Sequence, residues 1–386
     1  MKIWHTNHLV IKSWCNELDD GAVEQATHVA ELPFAFKYIA LMPDAHQGFG
    51  MPIGCVLATK NVIVPNAVGV DIGCGMLACK TSLTDITTDQ IKKVMGLIRQ
   101  SIPVGFNKRK EKQAIKPFET ALNETPILNA QFENAKYQIG TLGGGNHFIE
   151  LQKGDDGHIW FMIHSGSRNL GYTVADYYNK LAISLNEKWF SRVDKNLELA
   201  FLPTDTDEGQ SYIKEMESCQ NFAKQNRDLM AHHILDSMKT VMGDHVTSLL
   251  AHNAHHNFAR LENHFGQNVW VHRKGATSAK EGEICIIPGS QGTKSYIGMG
   301  IGNKDSFMSC SHGAGRKMGR KAAQRELNLE EEIKKLDEQG IIHGIRHTKD
   351  LDEASGAYKD IDVVMEEQKD LVRILVELTP LGVVKG

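Results

Sequence analysis

The chain has 386 residues, 41% hydrophobic and 23% charged, which is ordinary for a globular protein and enough to bury a sizeable core. A net charge of −4 excludes a global polycation, so any nucleic-acid contact must come from local basic patches. Seven cysteines without a CxxC pair argue against a disulfide framework, and neither a signal-peptide core nor a membrane-length apolar run is present, so the chain reads as cytoplasmic. The compositional oddity is the 18 histidines.

Residues 1–40 predict short strands and a helix. The stretch MPDAHQGFGMPIG (42–54) predicts a loop carrying Asp44 and His46. Strands are expected at Val56–Thr59 and Val62–Val64, leading into NAVGVDIGCGM (66–76), a tight glycine-rich turn with Asp71 and Cys74. Apolar residues at 91, 94, 95, 98 and 102 predict a helix capped by Thr87, Thr88 or Asp89. The basic cluster KRKEK (108–112) reads as a solvated loop that could touch phosphate.

Three glycines precede Asn146 and His147 in GGGNHFIE (143–150), a run able to turn backbone N–H groups toward an anion. A buried strand at 158–164 runs into HSGSRNLG (164–171), placing His164, Ser165, Ser167 and Arg168 at a strand-to-loop junction. Helices are expected at 172–190 and, without Gly or Pro, at 211–242, ended by Gly243. HNAHHNF (252–258) holds three histidines, of which one or two can face a common site. Strands are expected at 268–274 and 283–288, then a glycine-rich loop, GSQGTKSYIGMGIGN, whose spacing matches neither a P-loop nor a dinucleotide fingerprint.

SCSHGAGRKMGRK (309–321) predicts the opening of a helix that continues to Gln339, with Arg316 and Arg320 on one face and His312 near its positive start. AYKDIDVVMEEQKDLVRILVEL predicts a final helix. No linker, repeat or low-complexity segment interrupts the chain, so residues 1–386 read as one domain.

Asp71, Cys74, His147, His164 and one histidine of 252–256 form a mixed O, S and N ligand set. Thiolate with imidazole suits zinc; adding a carboxylate and a bridging thiolate admits Mn, Fe or Co. The CxxC hooks of a structural zinc site are missing. More donors than one ion needs point to two ions, or one with open positions, well suited to holding phosphate. Arg168, Arg316 and Arg320 point the same way. His312 is the candidate nucleophile, since an imidazole nitrogen can take a phosphoryl group; the lysine signature K-x-D-G is absent.

These motifs, with IIPGSQGTKSYI, RKGATSA, AYKDID and the terminal VKG, are colinear with those of one family. The chain resembles the RtcB RNA ligases over nearly its whole length. The resemblance implies an α+β fold with a single large domain and a central metal and nucleotide cleft. It implies joining of RNA 3′-phosphate or 2′,3′-cyclic phosphate ends to 5′-hydroxyl ends, using GTP and two Mn²⁺ ions, in RNA repair or tRNA splicing. By motif, Cys74 would bridge the ions, with Asp71 and His147 on one and His164 and His256 on the other. His312 would carry GMP, with Asp44 also important for activity. Asn146, Phe148, Glu150, Asn257, Ser290, Ala314, Gly315, Tyr358 and Lys385 would surround the nucleotide, Glu150 reading guanine. Arg168, Arg316 and Arg320 would contact phosphate or RNA.

Two departures from the family pattern are Ser355, where proline is frequent, and Gly319, where serine is common. Neither removes a reactive group. The choice of RNA is expected in the loops at 104–136 and 191–210; the need for an activating protein stays open. The rival functions are a metal-dependent cyclic phosphodiesterase that does not ligate and a non-catalytic RNA-binding relative. The first has no use for His312, Glu150 and Lys385, and the second would have lost Cys74 or His312; all are present.

Overall fold

The computed structural model describes residues 1–115 and 125–386, so part of the expected 104–136 loop lies outside the described residues, and its end from Pro126 on is helical instead. In chain order the elements are β1 (Lys2–His5), β2 (Val10–Ser13), α1 (Asp20–Ala30), β3 (Ala35–Phe49), β4 (Met51–Thr59), β5 (Val62–Ile63), α2 (Pro65–Val68), β6 (Gly75–Thr81) and α3 (Thr88–Ser101). There follow α4 (Pro126–Gln138), β7 (Phe148–Gly154), β8 (Ile159–Ser165), α5 (Arg168–Lys188), β9 (Leu202–Pro203), α6 (Asp207–Met242), β10 (Ser248–His255), β11 (Asn257–His264) and β12 (Gln267–Lys274). The chain closes with β13 (Ala276–Ser278), β14 (Ile284–Ile287), β15 (Ser295–Gly300), β16 (Ser309–Ser311), α7 (Arg320–Glu326), α8 (Leu329–Glu338), α9 (Ile361–Glu367) and β17 (Val372–Lys385). This mixture of helix and sheet is the expected α+β class.

Two sheets carry the fold. One runs β1-β2-β3-β4-β12-β11, and the other β10-β6-β8-β7-β17-β15-β14, every pair of the latter antiparallel. Ile91, Val94, Met95 and Ile98 of α3 and Met230, Ile234 and Met238 of α6 form one core with Leu77, Ile149, Phe161 and Ile163 of the second sheet. These are the helical positions with i, i+3, i+4 spacing, meeting strand positions with period two. Thr87 starts α3 with a capping box to Gln90. Helix α6, ended at Gly243 as its pattern predicts, crosses β6, β8 and β10.

Several expected elements differ. The 42–54 stretch is a hairpin of β3 and β4, and its loop-like composition is absorbed by breaks in register around His46. The glycine-rich stretch after Pro288 is a loop only to Lys294; Ser295–Gly300 is a paired strand. The end of the chain is not helical after Glu367: β17 inserts between β7 and β15, where tertiary pairing overrides an ambiguous apolar run. His312 does not open a helix. Gly315 has φ +74°, and a Cβ there would stand 2.3 Å from the Asp44 carbonyl oxygen, so the backbone turns tightly against β3 and helix α7 begins only at Arg320. Helix α7 also stops before Asn328, whose side chain caps a separate α8.

Gly75 sits where β6 meets β10, and a Cβ there would lie 2.0 Å from the Ala254 carbonyl oxygen. Gly75→Ala should therefore destabilise the protein by about 1–3 kcal/mol, seen as a lower urea midpoint with an unchanged slope.

Candidate functional site

The registers of the second sheet bring five strand ends to one edge. His255 at the end of β10 pairs Gly75 at the start of β6; Gly75 pairs Ser165 at the end of β8; Phe148 at the start of β7 pairs both His164 and Lys385. The loops leaving these ends carry Asp71 and Cys74, His147, and His256. Antiparallel pairing thus gathers groups far apart in the chain at one place.

Their donor atoms converge. Cys74 Sγ lies 3.5 Å from His147 Nε2 and 3.3 Å from His164 Nε2. His164 Nε2 is 3.3 Å from His256 Nε2, and His147 Nε2 is 3.1 Å from Asp71 Oδ2. Two overlapping sets, Asp71–Cys74–His147 and Cys74–His164–His256, each fit a cation, with Cys74 common to both. The outer ring nitrogens support this. His147 Nδ1 is 2.9 Å from the Leu142 carbonyl and His164 Nδ1 is 3.0 Å from that of Asn146. Each Nδ1–H donates outward, so each Nε2 turns a lone pair to the cluster, the tautomer a metal requires. Burial pushes His164 and His256 well below the ordinary imidazole range, keeping them neutral. Burial and the Asp71 carboxylate push the Cys74 thiol up, a cost that a cation among these donors would reverse. Burial opposes ionisation of Asp71, but its contacts with His147, with Cys74 and with the backbone N–H of Ser167, which donates to Oδ1, together hold the carboxyl below its ordinary value. The donor chemistry fits a divalent metal pair.

A file of rings connects the cluster to a cavity. His147, His164, His256 and His312 follow one another edge to face with centroids 5.2, 5.1 and 4.8 Å apart. His312 leaves β16 at the cavity wall. Its Nδ1 is 2.6 Å from Oδ2 of the fully buried Asp44, and the same oxygen accepts from the backbone N–H of His312 and Gly313. Burial would raise the Asp44 pKa, but the facing His312 lowers it below the ordinary value. Asp44 therefore holds Nδ1–H and leaves Nε2 with a free lone pair.

The cavity floor comes from two paired strands. Phe148 and Glu150 of β7 face inward with Val383 and Lys385 of β17. Glu150 accepts from Gln152 at 2.6 Å, yet burial pushes its carboxyl up to about 8. Burial pulls the Lys385 ammonium down, against the nearby Glu353 and Asp352. Ser290, Ala314, Gly315 and Tyr358 complete the walls with Asn146 and the two arginines.

Comparison with known proteins agrees with this architecture. Residues 25–386 match the family model described as "RtcB: tRNA-splicing ligase RtcB". The chain belongs to the RtcB family. It is 36% identical to the RNA-splicing ligase RtcB of Escherichia coli (strain K12), covering 99% of this chain and 98% of that protein. It is 31% identical to the tRNA-splicing ligase RtcB of Thermococcus kodakarensis, over 95% and 91% of the two chains. The RNA-splicing ligase RtcB homolog 1 of Entamoeba histolytica is 32% identical, over 95% and 84%.

Within this RtcB chain the expected site residues fall into distinct places. Of the histidines at 252–256 only His256 joins the cluster; His255 turns away, its Nδ1 2.9 Å from the Gly73 carbonyl. Asn257 does not line the cavity: its amide ties the Asp71 carbonyl to the Gly275 N–H. Arg168, at φ +54°, is held by Thr141 Oγ1 and the Gly105 carbonyl. Arg109 of the basic cluster is not a solvated residue, because it donates to the Ile139 and Gly140 carbonyls. The arginines of the expected helix face meet differently. Arg316 and Arg320 converge on Glu353, which sequence reasoning missed; it lies 3.1 Å from Arg316 Nη1 and 3.0 Å from Arg320 Nε, and Tyr358 donates to it. Its one sequence signal is its place five residues before Tyr358 in EASGAYKD.

Glu150 sets a pH dependence. Its folded pKa, about 8, exceeds the ordinary 4.5, so the native state binds the proton that the unfolded chain has lost. Its contribution is fully present below about 4.5 and is lost as pH rises to 8, at most about 1.4 kcal/mol per unit. Glu150→Gln should flatten that part of the ligand-free protein's stability profile, followed by urea unfolding at pH 5 to 9.

Proposed function

We propose that this chain is an RNA ligase joining 3′-phosphate or 2′,3′-cyclic phosphate ends to 5′-hydroxyl ends, with GTP as co-substrate and two manganese ions as cofactor. The observation that carries the reading is His312, pinned through Nδ1 on Asp44 between the donor cluster and the cavity. Family membership supports the reaction class. Asp71, Cys74, His147, His164 and His256 would hold the ions. Bound there, they would act as Lewis acids on phosphoryl oxygens and neutralise charge.

His312 Nε2 attacks the α-phosphorus of GTP; a P–N bond forms as the P–O bond to pyrophosphate breaks. Asp44 holds the ring in the tautomer that leaves Nε2 basic, and stabilises the positive charge that the ring acquires. An oxygen of the RNA 3′-phosphate then displaces the imidazole, giving an RNA-(3′)pp(5′)G end. The RNA 5′-hydroxyl attacks the 3′-phosphorus, GMP departs with the P–O bond to it broken, the hydroxyl proton passes to solvent or to the departing phosphate, and the strands are joined. A cyclic end is first opened by water to the 3′-phosphate.

Glu150 is suited to guanine. A buried carboxylate can accept from both N–H donors on the guanine edge, whereas adenine offers one amino donor and turns the N1 lone pair against the second oxygen. Asn146, Phe148, Ser290, Ala314, Gly315, Tyr358 and Lys385 would surround the nucleotide, while Arg168, Arg316 and Arg320 would steer phosphate or RNA. Asn257 would act by bracing Asp71. The chain would work as one domain in the cytoplasm; its seven free and buried cysteines suit a reducing compartment, and no described helix is long and apolar enough to cross a membrane.

With α-labelled GTP and Mn²⁺, the protein should acquire an acid-labile label under denaturing conditions, absent from His312→Ala. Label or sealing that survives in His312→Ala would sink the nucleophile assignment. No label despite bound metal, with cyclic ends still opened, would favour the phosphodiesterase. Cys74→Ala should weaken Mn²⁺ binding by more than the about 10–100-fold typical of losing an outer partner, measured by the free-ion EPR signal.

A further inference from the structure

Helix α6 supplies no group to the cavity or the donor cluster, yet two adjacent side chains on it touch the loops that do. Asn226 and Arg227 are both fully buried. Arg227 Nη1 donates to the Gly73 carbonyl at 3.1 Å and to the Ser165 carbonyl at 2.7 Å. Its Nη2 lies 3.1 Å from His255 Nδ1, and its Nε donates to Asn253 Oδ1 at 2.7 Å. Gly73, Ser165 and His255 are the chain neighbours of Cys74, His164 and His256.

Asn226 grips the fourth loop. Its Oδ1 accepts from the N–H groups of Gly140 and Thr141 at 2.7 and 3.1 Å. Its Nδ2 donates among Ser165 Oγ, Thr141 O and Gly166 O at 3.1–3.2 Å. The next carbonyl, of Leu142, accepts from Ser165 Oγ at 2.7 Å and faces His147 Nδ1. Four ligands from four loops are thus referred to one turn of one helix.

Charge supplies a second observation. A guanidinium remains charged, and burying one without an anion costs several kcal/mol. Among the described residues, no carboxylate lies within ion-pair distance of Arg227. The groups that favour its charge are Cys74 first, then Asp228, reached through Asn253, and Asp71; Cys74 lies one peptide beyond the Gly73 carbonyl that Arg227 holds. A planar fork that binds backbone carbonyls and also carries the countercharge of a thiolate is a combination that lysine cannot reproduce.

We infer that Asn226 and Arg227 are positioning residues for the metal centre, setting the spacing of Cys74, His147, His164 and His256 and balancing the negative charge of the donor set. The inference rests on the metal reading of that cluster. Its test is binding. Mn²⁺ affinity by EPR and the thiolate-to-cobalt absorption of the Co²⁺-loaded protein would be compared in wild type, Arg227→Met, Arg227→Lys and Asn226→Ser, with far-UV circular dichroism to verify folding.

Folded Arg227→Met should bind Mn²⁺ about 10–100-fold more weakly and show an altered cobalt–thiolate band. Arg227→Lys and Asn226→Ser should show smaller losses of the same kind, and they decide the matter if Arg227→Met does not fold. Wild-type affinity and spectrum in folded Arg227→Lys and Asn226→Ser would overturn the inference while leaving the metal reading intact. A wild-type protein that binds neither ion would overturn both.

Discussion

The register of one antiparallel sheet is the constraint on which the site depends. A slip of one residue in any of β10, β6, β8, β7 or β17 would turn its side chains to the other face and move a ligand away from Cys74. The cluster therefore cannot form ahead of the sheet. Its bonds join residues from Asp71 to His256, so it exists only after the most non-local part of the chain has closed. An ion bound only by the native cluster would stabilise the whole sheet edge by mass action.

The two halves of the cleft have opposite electrostatic character. The cluster end gathers lone pairs and latent negative charge: a carboxylate, a thiol and neutral imidazoles. The cavity end gathers cations, with Arg316, Arg320 and Lys385 around Glu353. His312 stands between them. Its Nδ1 is committed to Asp44 by a strong charge-assisted contact, and its ring lies against His256. Cations at one end and donors for a cation at the other would suit a phosphate chain with its metal, as the proposed reaction requires.

The donor cluster was largely legible in the sequence because few residue types carry its chemistry: Asp71, Cys74, His147 and His164 stand beside glycines where loops crowd, and the choice of His256 and the place of Asp44 came from the family resemblance. Element boundaries were less legible. Val372–Lys385 carries apolar residues that suit either period, and only its neighbours β7 and β15 decide that it is a strand. Arg316 and Arg320 do belong together, as their spacing suggests, but through Glu353 and not through a shared helix face. Glu353 was hidden in a charged stretch, and Asn226 and Arg227 in a long polar helix. What marks these three is burial, which no local pattern in the sequence discloses.

Glu353 also separates the two arginines by role. Arg316 spends its fork inside the protein: Nε donates to the Met318 carbonyl, Nη1 to Glu353 and the Tyr358 hydroxyl, and Nη2 to the Asp352 carbonyl. A ligand reaching Arg316 would have to break an existing bond. Arg320 is half exposed and among the described residues gives only its Nε to Glu353, at 3.0 Å. Its outer nitrogens lie close to Gly145, beside the loop that carries His147. Anchored at Nε and open at both Nη atoms, Arg320 keeps a two-pronged donor edge of the kind that would suit a phosphate, while Arg316 holds the wall beside it.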